Sequence, residues 1–205
     1  MHTARSILFA AALLAVPAAG LSQAPVANPA PAAVRAGSYH VEPTHTRVQF
    51  AVSHMGFSEW YGDFTGVTGT LELDPKAPGK SAVSVKIPVA SVSTTNATLD
   101  GELRNPDWFD AARYPDITFT STKVTLTSSR SALVAGNLTF HGVTRPVTLK
   151  AEFLASGTNP LSKGYTVGFN ATTRLKRSDF GIKTYLPLIG DEVTLRISAA
   201  FEKNT

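Results

Sequence analysis

From Val193 to Phe201 every odd-numbered residue (Val193, Leu195, Ile197, Ala199, Phe201) is apolar, and Thr194, Arg196, Ser198 and Ala200 stand between them. Successive side chains of a strand point to opposite faces, so this segment predicts a β-strand with one dry face. The same period-two signature recurs about eight times. It runs through Tyr39 and Val41, then Val48 to Val52, then Val83 to Val89, and returns in Val134 to Phe140, Val147 to Phe153 and Tyr165 to Ala171. Ile117 and Phe119 share one parity while Val124 and Leu126 share the other, which predicts a bulge near Ser121 to Lys123. Met55-Gly56-Phe57 breaks the alternation, and Gly62, Gly66 and Gly69 predict bulges or sharp bends of the kind that let a sheet curl and close. His141-Gly142-Val143-Thr144 predicts a hairpin turn.

Only one region has helical character. Asn96 or Thr98 can cap a turn through Leu99 and Leu103, and Asn105-Pro106-Asp107 has the order of a second short helix start. The pattern as a whole predicts an all-β fold, either a sandwich or an up-and-down barrel, with a helical insert that plugs or roofs one end. Eight strands make the smallest barrel with room for one elongated ligand. The enclosed face is apolar, so it forms either a packed core or a lipid pocket.

The first 24 residues are read as a signal peptide: Arg5 is a positive n-region, Ile7 to Val16 an apolar run, and Ser22-Gln23-Ala24 a cleavage site. Ala18 and Gly20 offer a second site, so the cut follows Ala24 or Gly20. A membrane anchor needs about 18 or more unbroken apolar residues, and Pro17 ends this run earlier. Residues 25–37 hold Pro25, Pro29, Pro31 and five alanines, the composition of an extended linker. Residues 38–205 then form one domain.

There is no cysteine, which excludes thiolate metal sites and thiol catalysis and leaves burial and strand pairing as the sources of stability. Loss of Arg5 lowers the formal net charge from +4 to +3, with the basic residues scattered between strands. That pattern does not fit nucleic-acid binding. His40, His45, His54 and His141 show no metal-ligand spacing, so no metal and no cofactor are expected. Asp179-Phe180-Gly181 copies a kinase tripeptide without the loops a kinase needs, and no Gly-x-Ser-x-Gly elbow is present. No catalytic residues are assigned on this reading. Leu99, Leu103, Trp108 and Phe109 cluster with Arg104, Asp107 and Arg113 around the insert, either stapling it to the core or lining what it covers.

Longer motifs carry a resemblance. Leu103-Arg104-Asn105-Pro106-Asp107-Trp108-Phe109-Asp110, followed by Tyr114-Pro115 and Ile117-Thr118-Phe119-Thr120-Ser121-Thr122, resembles the central signature of the YceI-like family. Gly136 to Val147, Phe50 to Gly56 and Arg177 to Gly181 resemble three further signatures in family order. Where the family usually shows Asp-x-x-His-Ser, this chain has Glu42-Pro43-Thr44-His45-Thr46. The resemblance implies an eight-stranded antiparallel, lipocalin-like barrel in the bacterial periplasm. It also implies a frequent homodimer and a polyisoprenoid or other long-chain amphiphile bound inside, with membrane contact only for ligand exchange.

Strand parity and motif position together nominate the lining. Phe50, Val52, Phe119, Phe140, Phe169 and Val193 are expected along the tail channel, with Leu103, Trp108, Phe109 and Phe180 near its ends. His45, His54, Arg104, Asp107 and Arg177 are expected at a polar mouth. Two other readings stand beside this one: a structural module with a filled core, and a periplasmic enzyme acting on a lipid or quinone through His45, His54 or His141.

Overall fold

The computed structural model describes residues 26–204, so the expected signal segment, with both its cleavage sites, lies outside the described residues. Ten strands follow in chain order: β1 (Gly37–Val41), β2 (Arg47–His54), β3 (Ser58–Phe64), β4 (Thr68–Leu73), β5 (Ala82–Pro88), β6 (Asp116–Leu126), β7 (Ser131–Phe140), β8 (Val143–Thr158), β9 (Tyr165–Lys176) and β10 (Ile189–Lys203). One α-helix, α1 (Ala97–Arg104), lies between β5 and β6.

Eight of the strands close a ring in the order β1-β4-β5-β6-β7-β8-β9-β10, and β10 returns to β1. Every pairing is antiparallel. β10 is long enough to take two partners along one edge. Its end pairs with β1 through Val41↔Phe201, and its earlier part pairs with β2 through Val48↔Ile197 and Val52↔Val193. β3 pairs with β2 and extends the wall beyond the ring, and its far edge meets the rest of the protein through a bridge between Asp63 and Ser93.

The parity change foreseen in β6 is present. The register against β7 shifts between Ser121 and Lys123, so Ile117 and Phe119 before the shift and Val124 and Leu126 after it all reach the interior. At His141-Gly142 both residues have positive φ, 51° and 72°, the two-residue geometry whose twist matches the strands of a hairpin. Helix α1 starts where Asn96 Oδ1 accepts from the amides of Thr98 (3.1 Å) and Leu99 (3.2 Å).

The second helix expected from Asn105 does not form. Asn105–Phe109 is a series of turns closed by the amides of Trp108 and Asp110 on Asn105 O, and Asp110 has φ 47°. Adjacent side chains on a helix diverge by roughly 100°, whereas Trp108 and Phe109 are both buried against the barrel. Turns let both rings face inward.

The Pro- and Ala-rich segment, expected as an extended tether, docks on the barrel over much of its length. Asn28 bridges Ser156 on β8, and Tyr165 Oη donates to Ala33 O at 2.9 Å. Tyr39 Oη donates to Arg35 O, and the Arg35 guanidinium sits 4.3 Å from the Tyr165 ring. Burial foremost, with the neighbouring Tyr165 and against the pull of Arg35, pushes the Tyr39 phenol up to about 12.

Candidate functional site

The ring encloses a cavity of about 1270 Å³ that runs from one end of the barrel to the other. One end, the lid end, gathers α1 and the turns after it, the β2–β3 and β7–β8 hairpins, and the segment 177–189. The opposite end gathers the β4–β5, β6–β7 and β8–β9 connections, with Pro31, Ala32 and Val34 on the cavity wall beside them. All five odd-numbered residues of β10 from Val193 to Phe201 face the lumen.

Two glycines explain why aromatic strands leave so much space. Phe50 pairs with Gly62 across β2 and β3, and a Cβ at Gly62 would stand 2.2 Å from Phe50 Cζ. A Cβ at Gly136 would stand 2.4 Å from Phe119 Cζ. The outer edge of each ring takes the space that a side chain at the glycine would fill.

Nine of the ten side chains expected along the channel line this cavity: Phe50, Val52, Leu103, Trp108, Phe109, Phe119, Phe140, Phe169 and Val193. Phe180 does not line it. It is 1% exposed and stands behind Phe140, ring centroids 6.0 Å apart, while its carbonyl takes His141 Nδ1 at 3.0 Å. Phe50, Phe64, Phe109 and Phe140 continue this contact as a chain of rings, with successive centroids 5.8, 5.9 and 5.3 Å apart, that fastens the lid segment to the wall.

The residues expected at a polar mouth disperse. His54 lines the cavity at the lid end. His45 lies in the exposed β1–β2 turn, where Glu42 Oε2 holds its Nδ1 at 2.6 Å. Burial works to raise the Glu42 carboxyl, but bonds from His45 and from the Thr44 and His45 amides outweigh it and hold the group below its ordinary value. Arg104 is exposed and donates to Val92 O at 3.3 Å, and exposed Asp107 gives its carbonyl to Thr184 Oγ1. Both tie the insert in place.

Arg177 lines the cavity but is engaged elsewhere. Its guanidinium donates to Gly190 O (2.8 Å), Ile182 O (3.3 Å), Thr184 O (2.9 Å) and Ile189 O (2.9 Å), and it lies 5.5 Å from the Trp108 ring. Burial lowers its pKa, opposed by Asp191. It clamps the loop before β10. His141 packs edge-on against Tyr114 at 4.9 Å, and of the three histidines considered as acid–base groups His54 alone lines the cavity.

Sequence reasoning missed Trp60, the docked N-terminal segment and Arg130 as wall residues, and Gly62 and Gly136 as the positions that make room for the Phe50 and Phe119 rings. The two glycines were findable, because each falls at an inward position of a strand. Arg130 was not, because the carbonyls that aim it belong to another strand.

Comparison with known proteins gives this geometry a family. Residues 39–201 match the YceI-like domain. The chain belongs to the YceI-like family. It is 41% identical over 157 residues to the YceI protein of Escherichia coli O157:H7, covering 77% of this chain and 81% of that one. A crystal structure of a YceI protein from Campylobacter jejuni superposes with a TM-score of 0.67 at 29% identity, covering 75% and 90% of the two chains. A polyisoprenoid binding domain from Saccharophagus degradans shares the fold at 16% identity, with a TM-score of 0.60 over 83% of this chain and 100% of that one.

Proposed function

We propose that this YceI-like barrel binds, and thereby carries or stores, a polyisoprenoid or other long-chain amphiphile in the periplasm. The cavity of about 1270 Å³ with an almost wholly apolar wall is the observation that carries the reading. A filled structural module would leave no such space. Burial of a CH₂ group contributes about 0.8 kcal/mol, so ten enclosed carbons supply about 8 kcal/mol before the entropy of ordering the chain is subtracted. Tail burial dominates affinity, and tails that share only apolarity are poorly discriminated.

Periplasmic placement rests on the signal-peptide pattern of residues 1–24. Contact with a bilayer serves ligand exchange alone, and a homodimer belongs to the same reading by family resemblance. The test is an organic extract of the natively purified protein. A bound isoprenoid or long-chain lipid is the expected finding. An empty extract, together with no uptake of an isoprenoid quinone or long-chain lipid by delipidated protein in native mass measurement, overturns the proposal.

A further inference from the structure

Among the described residues, one histidine and three charged side chains line the apolar cavity: His54, Glu102, Arg130 and Arg177. Three belong to the lid end, and there Arg177 is committed to backbone carbonyls. Arg130 stands alone at the opposite end, on the connection between β6 and β7, with Ser129 and Ser131 also on the wall.

Its guanidinium is held by a fault in the neighbouring strand. The register of β8 against β9 shifts between Phe153 and Ala155, which turns backbone carbonyls out of the ladder. Arg130 Nε and Nη2 donate to Phe153 O at 3.2 and 3.0 Å, and Nη2 also donates to Leu154 O at 2.9 Å. The Phe153 amide in turn donates to Arg130 O at 2.8 Å. Among the described residues Nη1 has no protein hydrogen-bond partner, and no carboxylate lies within 4.0 Å of this guanidinium.

A fixed, half-buried cation facing an apolar bore without a counter-charge favours an anion, and the planar guanidinium fork suits a carboxylate or phosphate. Glu102 at the lid end repels the same group. We infer that Arg130, flanked by Ser129 and Ser131, receives the anionic carboxylate or phosphate head of the bound amphiphile, whose tail runs toward Leu103 and Phe109 beneath the lid. This rests on the carrier reading and adds the charge and direction of its ligand.

The test compares matched pairs at about pH 7, where both acids are ionised: hexadecanoate against hexadecanol, and farnesyl phosphate against farnesol. The parent protein is expected to prefer the anion of at least one pair by about 10- to 100-fold, the range of a charge-assisted hydrogen bond. Which pair shows it separates a carboxylate from a phosphate ligand. Arg130→Gln brings the ratio close to one while leaving affinity for the alcohols intact, which also shows that the barrel is folded. Arg130→Lys keeps part of the preference. Equal binding of anion and alcohol by the parent, or an undiminished preference in Arg130→Gln, overturns the inference. If the parent takes up neither member of either pair, the carrier reading itself fails.

Discussion

Gly62→Ala is the sharpest test of how the lumen is kept open. The new methyl would lie 2.2 Å from Phe50 Cζ and 2.5 Å from Cε1, with no backbone atom among its nearest contacts. Carbon atoms settle at about 3.5 Å or more, so the ring must retreat by roughly 1.3 Å. The β2–β3 wall stands behind it and the cavity in front, so it retreats into the bore. If the displaced ring costs the ligand contact for about two methylenes, binding weakens by about 1.6 kcal/mol, roughly 15-fold. Both tryptophans of the chain, Trp60 and Trp108, line the cavity, so intrinsic fluorescence on titration with a long-chain ligand reports the affinity. Gly62→Ala with Phe50→Leu is expected to regain most of the loss, since the clash disappears with the ring edge. A single variant that binds within twofold of the parent refutes the idea that this glycine keeps the ring against the wall.

Arg177→Gln leaves several carbonyls of the 182–190 segment without their donor and is expected to destabilise the fold by about 3 kcal/mol or more, read as a lower urea midpoint. Asp100 accepts from Thr94 Oγ1 at 2.7 Å and Thr94 N at 2.6 Å, and these bonds hold its carboxyl below the ordinary value. A lowered folded pKa gives stability that is present above the ordinary carboxylate range and lost as pH falls through the folded value, so the start of α1 loosens below about pH 4. Faster amide exchange at Leu99 and Leu103 in acid checks this, and Asp100→Asn should abolish the acid dependence. Tyr39, raised to about 12, works in the other direction: its contribution is complete below about pH 10 and is lost as pH rises toward 12. Tyr39→Phe is expected to flatten the alkaline part of the stability profile, and an unchanged profile would remove Tyr39 from the account.

What was legible in the sequence is what local periodicity encodes. The inward face of β10, the parity switch in β6 and the Asn96 cap each depend on neighbours a few residues away. The roles of charged residues and of the insert were less legible, for a different reason. Arg104, Asp107 and Arg177 lie in motifs that mark a lid, but spacing along the chain does not say whether a charge faces the lumen or a carbonyl. All three turn out to stitch segments together. Asn105-Pro106-Asp107 had the chemistry of a helix start, and the joint burial of Trp108 and Phe109 overrode it. Composition alone could not show that residues near Asn28 and Ala33 would find Ser156 and Tyr165 on distant strands.

β10 bonds to three strands, β1, β2 and β9, and it comes last of the ten in chain order. Until it docks, β9 at one margin and the β1–β4 pair at the other share no neighbour, and the wall is an open sheet with a greasy concave side. Pairings between such remote parts of a chain form slowly, and an unclosed sheet is exposed to aggregation while it waits. Closure therefore ends the vulnerable period and creates the interior in a single act. A nascent barrel of this order has no container to fill before its final seam is sewn.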